Sequence, residues 1–419
     1  MKKITFWYTV ITFVAIFLYE GMQDSIIAPF FPIQAKLKHN ASETFIGITM
    51  AGVDIGDLLV NLIFFKFSVS DHPQKMYIIV FGVISGLAVI AFGVTDCITN
   101  QLIYEILQLT LRVISGIGAG VNFCVGVVFV SAMADSDNTK ATLVTSIFTF
   151  YYTGVSIAPF FGTILFDFLG YTNILVLIGF LSIIPSLGLL PVPSQAQETS
   201  KNDLNTPSEN SALKIFKSFN VLVVTYCQLA IYSLWGFIDA SLALLLYNQF
   251  NMDQSSIGYV FSTGTLLALL SSFLSVYINS KSLYMMNYVI SMSTQIIVLT
   301  IMSLSVFFHK LYGVFFAYCL HSFARSMTSG SNILYIKDLI DLEFRKCPGE
   351  YSMWIATATS NIFSIIGRMV GLFYFGGLLI EQFGIFVVIN VLLVLFVLAV
   401  IGQYFVLCKN YVKYKKEKF

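Results

Sequence analysis

Charged residues are scarce in this sequence, and motifs typical of soluble enzymes are missing. Only 11% of its 419 residues are Asp, Glu, Lys or Arg, against about a quarter in soluble domains. This scarcity, a mean hydropathy of +0.83 and 40 Phe residues exclude a water-soluble globule, a disordered chain and a nucleic-acid-binding protein. No His-Glu-x-x-His zinc motif or serine elbow is present, so the sequence predicts no metal site and no bound cofactor.

Cysteines and long polar stretches are also rare. The 6 cysteines fall mostly inside apolar runs, which argues against a disulfide framework. One long polar stretch, residues 193–218, interrupts the apolar sequence. The first apolar run, residues 6–32, is longer than the apolar core of a cleavable signal peptide, and it predicts a membrane span.

Apolar residues make up 57% of the chain, and a helix needs about 20 of them to cross a bilayer. Twelve runs qualify, and we number them spans 1 to 12, at residues 6–32, 44–68, 75–98, 102–132, 143–166, 172–192, 219–248, 255–279, 283–307, 310–336, 351–379 and 384–407. The sequence therefore predicts an all-α polytopic membrane protein with twelve transmembrane helices. Its parts are an N-terminal six-helix bundle (1–192), a cytosolic linker (193–218), a C-terminal six-helix bundle (219–408) and a cytosolic basic tail (409–419).

The distribution of basic residues predicts the orientation in the membrane. With both termini in the cytosol, 17 of the 23 Lys and Arg residues lie on the cytosolic side, as the positive-inside rule requires. Three lysines lie on the opposite side and three arginines lie within spans. The first outer loop carries the glycosylation sequon Asn40-Ala41-Ser42, which agrees with this orientation.

The two halves of the sequence are related as an internal repeat. A shift of 215 residues aligns YEGMQDSIIA (19–28) with LWGFIDASLA (234–243). A shift of 214 aligns GTILFDFLGY (162–171) with GGLLIEQFGI (376–385). Several matches at nearly one offset indicate two parallel six-helix repeats, an architecture of secondary transporters.

The few charges inside the predicted spans follow a threefold pattern. An ionisable side chain in a bilayer is costly, so each one is a functional candidate. Spans 3, 6, 9 and 12 carry none away from their ends, whereas spans 1, 4, 7 and 10 all do, and we expect these four to line a wet cavity. The charged residues are Glu20 and Asp24 in span 1, Asp54 and Asp57 in span 2, Arg112 in span 4, Asp239 in span 7, Arg325 in span 10 and Arg368 in span 11.

This plan and two local motifs resemble the major facilitator superfamily over essentially the whole chain. In span 4, RVISGIGAG (112–120) is similar to the family's arginine followed by a ladder of small residues. In span 5, GVSIAPFFGT (154–163) resembles the antiporter motif GxxxGPxxGG. The resemblance implies the major facilitator fold and a gating motif at Gly154, Pro159 and Gly162. The loop after span 2 lacks the family's Gly-x-x-x-Asp-Arg signature.

Within this family, the first half is similar to the vesicular amine and polyamine transporters. APFFP (28–32) resembles the proline pair that follows their first span, and Glu20 stands where they carry an acid. Their acid in span 11 is missing, because Asn361 stands near that place and Arg368 lies two turns further on. The resemblance implies an amine substrate and leaves the route of proton coupling open.

Two groups of side chains predict substrate binding. Glu20 and Asp24 lie one helical turn apart on span 1, which suits a site for a cation and a proton. The alternative is a structural pair. On span 7, Tyr232, Trp235 and Asp239 form one stripe, in which aromatic rings and a carboxylate suit an ammonium group. The alternative for this stripe is packing between helices.

The remaining intramembrane charges are candidates for proton and charge coupling. Asp54 and Asp57 are expected to form either a proton relay or a helix-end network with Arg368. Arg112 and Arg325 are the expected charge partners of the acids. Five acids against three arginines leave a negative excess, which favours a cationic substrate and disfavours an anion.

The sequence therefore predicts a secondary active transporter that exchanges a cationic organic amine for protons by alternating access. Its expected partners are a small organic cation, protons and the lipid bilayer. Two alternatives stay open: a facilitator or exporter of a neutral solute, and a non-transporting membrane sensor derived from a transporter. An aspartyl protease using Asp54 or Asp57 would need a second-acid motif that is missing, so we expect no enzymatic activity.

The predicted orientation determines which positions an impermeant maleimide reaches. In a cysteine-free background, we expect Ser200→Cys to react only after digitonin has permeabilised the plasma membrane, because the linker faces the cytosol. Asn40→Cys is the matched probe for the opposite face. Labelling of position 200 in intact cells would contradict the orientation.

Overall fold

A computed structural model of the chain describes residues 3–66, 74–133, 137–192, 218–281, 283–328, 331–343 and 349–417. Within these ranges every regular element is a helix, as the apolar composition predicts. Residues 193–217 of the predicted linker and residues 67–73 of the loop after span 2 lie outside the described residues.

The helices follow the predicted order of spans. In the N-terminal half they are Lys3–Ser25, Phe31–His39, Glu43–Lys66, Gln74–Val94, a 3-10 turn at Thr95–Cys97, Gln101–Ala132 and Asp137–Gly188. In the C-terminal half they are Phe219–Phe250, Gln254–Ser280, Tyr284–Phe307, Leu311–Thr328, Ser331–Glu343, Gly349–Met369, the π-helix Val370–Leu379, Ile380–Phe383 and Ile385–Glu417.

Span 1 is shorter than predicted, since its helix ends at Ser25 and a separate helix, Phe31–His39, follows. The prolines explain the break. Pro32 lies in the first turn of the second helix, where the missing N–H of proline costs nothing, while a proline farther inside a helix removes a hydrogen bond.

Ten described segments are long and apolar enough to cross a membrane, judged by length and composition. One of them, Thr149–Gly188, has 40 residues and holds both span 5 and span 6, because Gly170 interrupts the helix with φ 72° and ψ 172°. Predicted span 10 corresponds to the further helices Leu311–Thr328 and Ser331–Glu343. These segments together account for the twelve predicted spans.

Two glycines end helices with the same backbone conformation. Gly170 separates spans 5 and 6, and Gly384, with φ 78° and ψ 158°, separates spans 11 and 12. This region of the backbone map is essentially restricted to glycine. The 214-residue shift aligns the two positions, so the internal repeat extends from the sequence to the backbone.

The packing of the helices divides the chain into two compact units. The first unit comprises Met1–Ser200 and Asp239–Thr265. Within it, span 1 packs along the helix Asp137–Gly188, span 2 along span 4, and span 3 against both span 4 and Asp137–Gly188. Its apolar core includes Phe13, whose ring stacks on Phe129 of span 4 at 5.4 Å between ring centres.

The second unit comprises Lys201–Ile238 and Leu266–Phe419. Within it, span 9 packs against the helix Leu311–Thr328 and against span 12, and Ser331–Glu343 packs against Gly349–Met369.

Span 8 begins at a side-chain cap outside the membrane. The hydroxyl and the amide of Ser256 donate hydrogen bonds to the Asp253 carboxylate at 2.6 and 3.0 Å. These bonds favour the ionised carboxylate, and they hold the pKa of Asp253 below its usual value. The loop between spans 7 and 8 therefore carries a negative charge at neutral pH.

Replacing either helix-ending glycine tests the shared backbone conformation. No atom lies within 4 Å of a Cβ added at Gly170 or Gly384, so Gly170→Ala and Gly384→Ala measure backbone strain alone. We expect each to cost about 1–3 kcal/mol, seen as a fall of several degrees in the melting temperature of purified protein. Gly188→Ala is the matched control, since its Cβ would be in ordinary contact, 3.4 Å from Thr12. An equal effect of all three substitutions would contradict the interpretation.

Candidate functional site

Spans 1 and 5 approach so closely that side chains are excluded where they cross. A Cβ atom on Gly21 would lie 2.1 Å from the carbonyl oxygen of Tyr151, and one on Gly154 would lie 2.0 Å from that of Leu18. Small residues permit such contact between membrane helices. The crossing holds the acidic face of span 1 against spans 4 and 5.

The two acids of span 1 are buried and have different partners. Glu20 is 5% exposed and accepts a hydrogen bond from the Asn122 amide of span 4 at 2.5 Å. Asp24 is 7% exposed and accepts one from the Tyr151 hydroxyl of span 5 at 3.0 Å. Among the described residues, Glu20 forms no ion pair. Neutral donors from two helices therefore orient these carboxylates.

Gln23 extends the polar surface between the two acids. Its Oε1 accepts a hydrogen bond from Ser85 of span 3 at 3.2 Å, and Ser85 also donates to the carbonyl of Ser115 at 3.3 Å. Gln23 Nε2 and Asn122 Oδ1 are buried and have no hydrogen-bond partner among the described residues. Buried polar atoms are normally satisfied, so this donor and this acceptor are available to a ligand.

The two aspartates of span 2 face different surroundings. Asp54 is 5% exposed. The carboxylate of Asp57 accepts a hydrogen bond from Asn61 at 2.8 Å, one turn further along the same helix. Asp57 also faces the small-residue ladder of span 4, because a Cβ on Gly120 would lie 2.7 Å from its Oδ1. Asp57 therefore has a polar partner on its own helix, and the role of Asp54 and Asp57 in proton transfer stays a prediction.

Arg112 lies in the interior of the first unit and is 3% exposed. Span 2 packs on it at Gly52, where an added Cβ would lie 2.8 Å from the Arg112 Cβ. Its guanidinium carbon lies 5.6 Å from the ring centre of Phe92 in span 3. Arg112 therefore contacts spans 2 and 3 from span 4.

The aromatic stripe of span 7 differs from its sequence interpretation. The guanidinium carbons of Arg325 and Arg368 lie 4.0 and 4.6 Å from the ring centre of Trp235. The ring of Tyr232 lies 5.5 Å from that of Trp235. Two arginines of the chain thus already contact the indole that we expected to receive an ammonium group.

Arg325 lies in the second unit, where its guanidinium contacts Trp235. Residues 219–238 and 266–328, which carry these two residues, contain no Asp or Glu. The role of Arg325 as the charge partner of an acid stays a prediction. Asp239, 9% exposed, follows Trp235 by one helical turn and belongs to the first unit.

The motif of span 5 packs against spans 1 and 8 within the first unit. Pro159 lies inside the helix, and a Cβ on Gly162 would lie 2.9 Å from the Ile26 side chain. Thr163 replaces a glycine of the family pattern, and a Cβ on Gly258 of span 8 would lie 2.1 Å from its hydroxyl. The small residue of this contact is therefore on span 8. The gating role of the motif stays a prediction.

Both polar residues of the glycosylation sequon have structural roles. Asn40, with φ 51° and ψ 35°, ends the helix Phe31–His39, and its backbone N–H donates to the carbonyl of Ala35. Ser42 accepts a hydrogen bond from the amide of Phe45 at 3.1 Å and caps span 2. Capping explains why these residues stand here, and glycosylation of Asn40 stays a prediction.

The short helix Phe31–His39 is held in place by a buried acid that the sequence did not single out. Asp96 accepts hydrogen bonds from Lys38 at 2.6 Å and from Gln34 at 3.2 Å, and it contacts His39 at 3.3 Å. The imidazole of His39 stacks on Tyr104, with 3.6 Å between ring centres. Asp96 was missed because it stands at a helix end, where charge is common.

Neutral polar residues were missed for a related reason. Asn122 and Tyr151 carry no charge, so nothing separated them from other polar residues in apolar spans. The second unit has a comparable cluster, in which Gln228 of span 7 donates to Ser360 at 3.2 Å and Asn332 donates to Ser360 at 2.9 Å. The sequence signal that could have identified these residues is the presence of a side-chain amide inside an apolar helix.

The chain is similar to known membrane proteins in sequence. The Major Facilitator Superfamily profile matches residues 12–347. The MFS-type transporter SLC18B1 of Mus musculus is 29% identical over 244 residues, and that of Homo sapiens is 26% identical over 246 residues. Both matches cover 57% of this chain and 50% of the relative. The chain thus spans about half the length of the curated relatives it matches.

Solved structures share the fold at low identity. A bacterial homolog of the human lysosomal transporter Spinster, inward-facing and unoccupied, has a TM-score of 0.73 and 13% identity, covering 97% of this chain and 98% of its own. A mutant of the nucleoside transporter NupG has a TM-score of 0.71 and 12% identity, covering 95% and 99%.

The profile match extends from span 1 into the C-terminal half and includes Glu20, Asp24, Arg112 and the span 5 motif. The helical architecture agrees with it over nearly the whole chain. The chain therefore belongs to the Major Facilitator Superfamily and is an integral, multi-pass membrane protein.

Proposed function

We propose that this protein is a proton-coupled antiporter of a cationic organic amine that works by alternating access. The observation that carries the proposal is the environment of Glu20. Its carboxylate is buried, and Asn122, its hydrogen-bond partner, is a neutral amide. A carboxylate held in this way keeps its charge available for a proton or for an ammonium group.

The atoms around Glu20 suit an ammonium group. An ammonium group offers only donors and needs several acceptors. The Glu20 carboxylate and the buried Oδ1 of Asn122 are acceptors, and Asp24 lies about 5–6 Å further along the same helix face. A neutral solute would leave the negative charge of Glu20 uncompensated, which is costly at membrane depth.

Competition for one carboxylate supplies the coupling. When Glu20 binds a proton, its charge disappears and the attraction for an ammonium group falls. When it binds the amine, the proton is displaced. A transporter that changes its accessible side with the proton bound or with the amine bound, but not when the site is empty, exchanges protons for amine.

The resemblance of the first half to vesicular amine and polyamine transporters supports an amine as the substrate. The fold alone does not select it, because the structurally similar NupG is a nucleoside transporter. In the proposal, both termini and the linker 193–218 face the cytosol, and residues 1–192 and 219–408 form the two moving bundles. The remaining site candidates, Asp54, Asp57 and the span 5 motif, serve coupling and gating.

Uphill uptake by Glu20→Gln tests this mechanism. Proteoliposomes with an acidic interior are given labelled spermidine or tyramine, with uridine as the neutral solute. We expect the native protein to concentrate at least one amine, with a protonophore abolishing the effect. Glu20→Gln keeps the shape of the side chain but removes the titratable charge, and we expect it to abolish uphill uptake.

Glu105→Gln is the matched control for this experiment. Its carboxylate accepts a surface hydrogen bond from Gln101 at 3.0 Å in the same unit, and we expect uptake to be unchanged. Concentration of an amine by Glu20→Gln would refute the coupling role of Glu20. Binding of amines without any flux would support the sensor alternative instead.

Asn122→Ala separates solute binding from coupling. The substitution removes both the donor that orients Glu20 and the acceptor Oδ1, so we expect about ten-fold weaker amine binding, the size of one charge-assisted hydrogen bond. Binding is measured as amine-dependent thermal stabilisation of purified protein. Asn173→Ala is the control, because the Asn173 amide donates only to the carbonyl of Leu169, across the break between spans 5 and 6. Unchanged affinity in Asn122→Ala would exclude Asn122 from the site.

A further inference from the structure

Two arginines and one tryptophan form a cluster in the second unit. The guanidinium carbons of Arg325 and Arg368 lie 4.0 and 4.6 Å from the centre of the Trp235 ring. They are therefore at most 8.6 Å apart, the sum of these two distances. Three different spans, 7, 10 and 11, contribute one residue each.

Backbone packing fixes two members of the cluster. A Cβ on Gly236 would lie 2.4 Å from the carbonyl oxygen of Arg368, and one on Gly371 would lie 2.1 Å from that of Ser233. The Ser233 hydroxyl donates to the carbonyl of Gly367 at 3.0 Å. Spans 7 and 11 thus touch on both sides of Arg368. The π-helix Val370–Leu379 begins two residues later, and such segments are frequent at functional sites.

The charge of this region is positive. Residues 219–238, 266–328 and 358–380 contain no Asp or Glu. These stretches, which carry the three residues of the cluster, therefore contribute two guanidinium groups and no carboxylate. Two like charges at most 8.6 Å apart repel in a medium of low dielectric constant, and a bound anion lowers this repulsion.

Arg325 has donors to spare. Among the described residues its guanidinium makes no hydrogen bond and no ion pair, although the side chain is half-buried. A guanidinium group has five N–H donors in a planar fork. The guanidinium carbon of Arg325 approaches the Trp235 ring centre to 4.0 Å, and a contact of this kind uses no hydrogen-bond acceptor, so the donors stay available.

We infer that Arg325 and Arg368, held on Trp235, form a binding site for the carboxylate group of a small organic anion. The planar fork of arginine matches the two oxygens of a carboxylate. This inference does not depend on the amine antiport proposed above. The carboxylate belongs either to the transported solute or to a separate anion that accompanies transport.

Trp235 itself reports the binding. The chain has 3 tryptophans, so Trp7→Phe with Trp354→Phe leaves Trp235 as the sole indole. We expect acetate to change the emission of this variant saturably, whereas acetamide, its neutral isostere, has no effect. Arg325→Gln removes the free donors, and we expect about ten-fold weaker acetate binding. Arg325→Lys keeps the charge but loses the fork, and we expect an intermediate value.

Lys281→Gln is the matched control, because Lys281 also lies over an aromatic ring of the second unit, 5.8 Å from the centre of Tyr277. It is expected to bind acetate like the parent protein. Melting temperature and elution volume verify folding, and Arg325→Lys serves if Arg325→Gln does not fold. Equal responses to acetate and acetamide, or native affinity in both Arg325 variants, would overturn the inference.

Flux measurements identify the source of the carboxylate. If it belongs to the solute, we expect acetate to inhibit uptake of γ-aminobutyrate in proteoliposomes. If it belongs to a separate anion, we expect acetate to stimulate uptake of spermidine. Either effect is expected to disappear in Arg325→Gln, and persistence there would contradict the site. The emission assay needs no flux, so loss of uptake in Glu20→Gln with acetate binding intact leaves this inference standing.

Discussion

The exclusion of side chains at two helix crossings is the constraint on which both candidate sites depend. Lipid is as apolar as a leucine side chain, so membrane helices associate mainly by close packing. In the first unit, Gly21 and Gly154 bring spans 1 and 5 into backbone contact. In the second unit, Gly236 and Gly371 do the same for spans 7 and 11. At each crossing, the backbone contact keeps charged side chains inside the apolar interior of the unit.

The two crossings repeat each other atom by atom. The carbonyl that faces Gly21 belongs to Tyr151, and the carbonyl that faces Gly236 belongs to Arg368. Gly236 of span 7 follows Gly21 of span 1 by 215 residues, and Arg368 of span 11 follows Tyr151 of span 5 by 217 residues. Tyr151 and Arg368 therefore occupy equivalent places. The repeat has kept the backbone contact and changed the side chain beside it.

The fold was predictable because its main determinants are local in the sequence. Span length and apolar composition predict the helices, and the alignment of Gly170 with Gly384 predicts that two breaks share one conformation. The proline-rich end of span 1 was predicted less well. An apolar run continues through residues 26–32, so hydropathy alone does not detect the helix end at Ser25.

The candidate site was predictable only where charge marks it. Glu20 and Asp24 stand out in an apolar span, whereas Asn122 and Tyr151 do not, and only the packing of spans 4 and 5 brings them to the acids. The contact of Arg325 with Trp235 was not predicted, because a cation over an aromatic ring leaves no charge pattern in the sequence. Sequence distance does not say which charges share a unit, and the role of Arg325 as the charge partner of an acid stays a prediction.

When the intramembrane charges are assigned to the two units, their distribution does not follow the symmetry of the repeat. The first unit holds the five intramembrane acids and Arg112, and the second holds Arg325 and Arg368. A buried excess of one sign is costly at membrane depth, and a proton, a solute or a bound ion of opposite sign lowers that cost. Under our two proposals, the excess in the first unit attracts cations and protons, and the two arginines of the second unit attract an anion. Equivalent backbone contacts would then support opposite chemistry, because the residue beside the crossing is a tyrosine with an aspartate in one unit and an arginine with a tryptophan in the other.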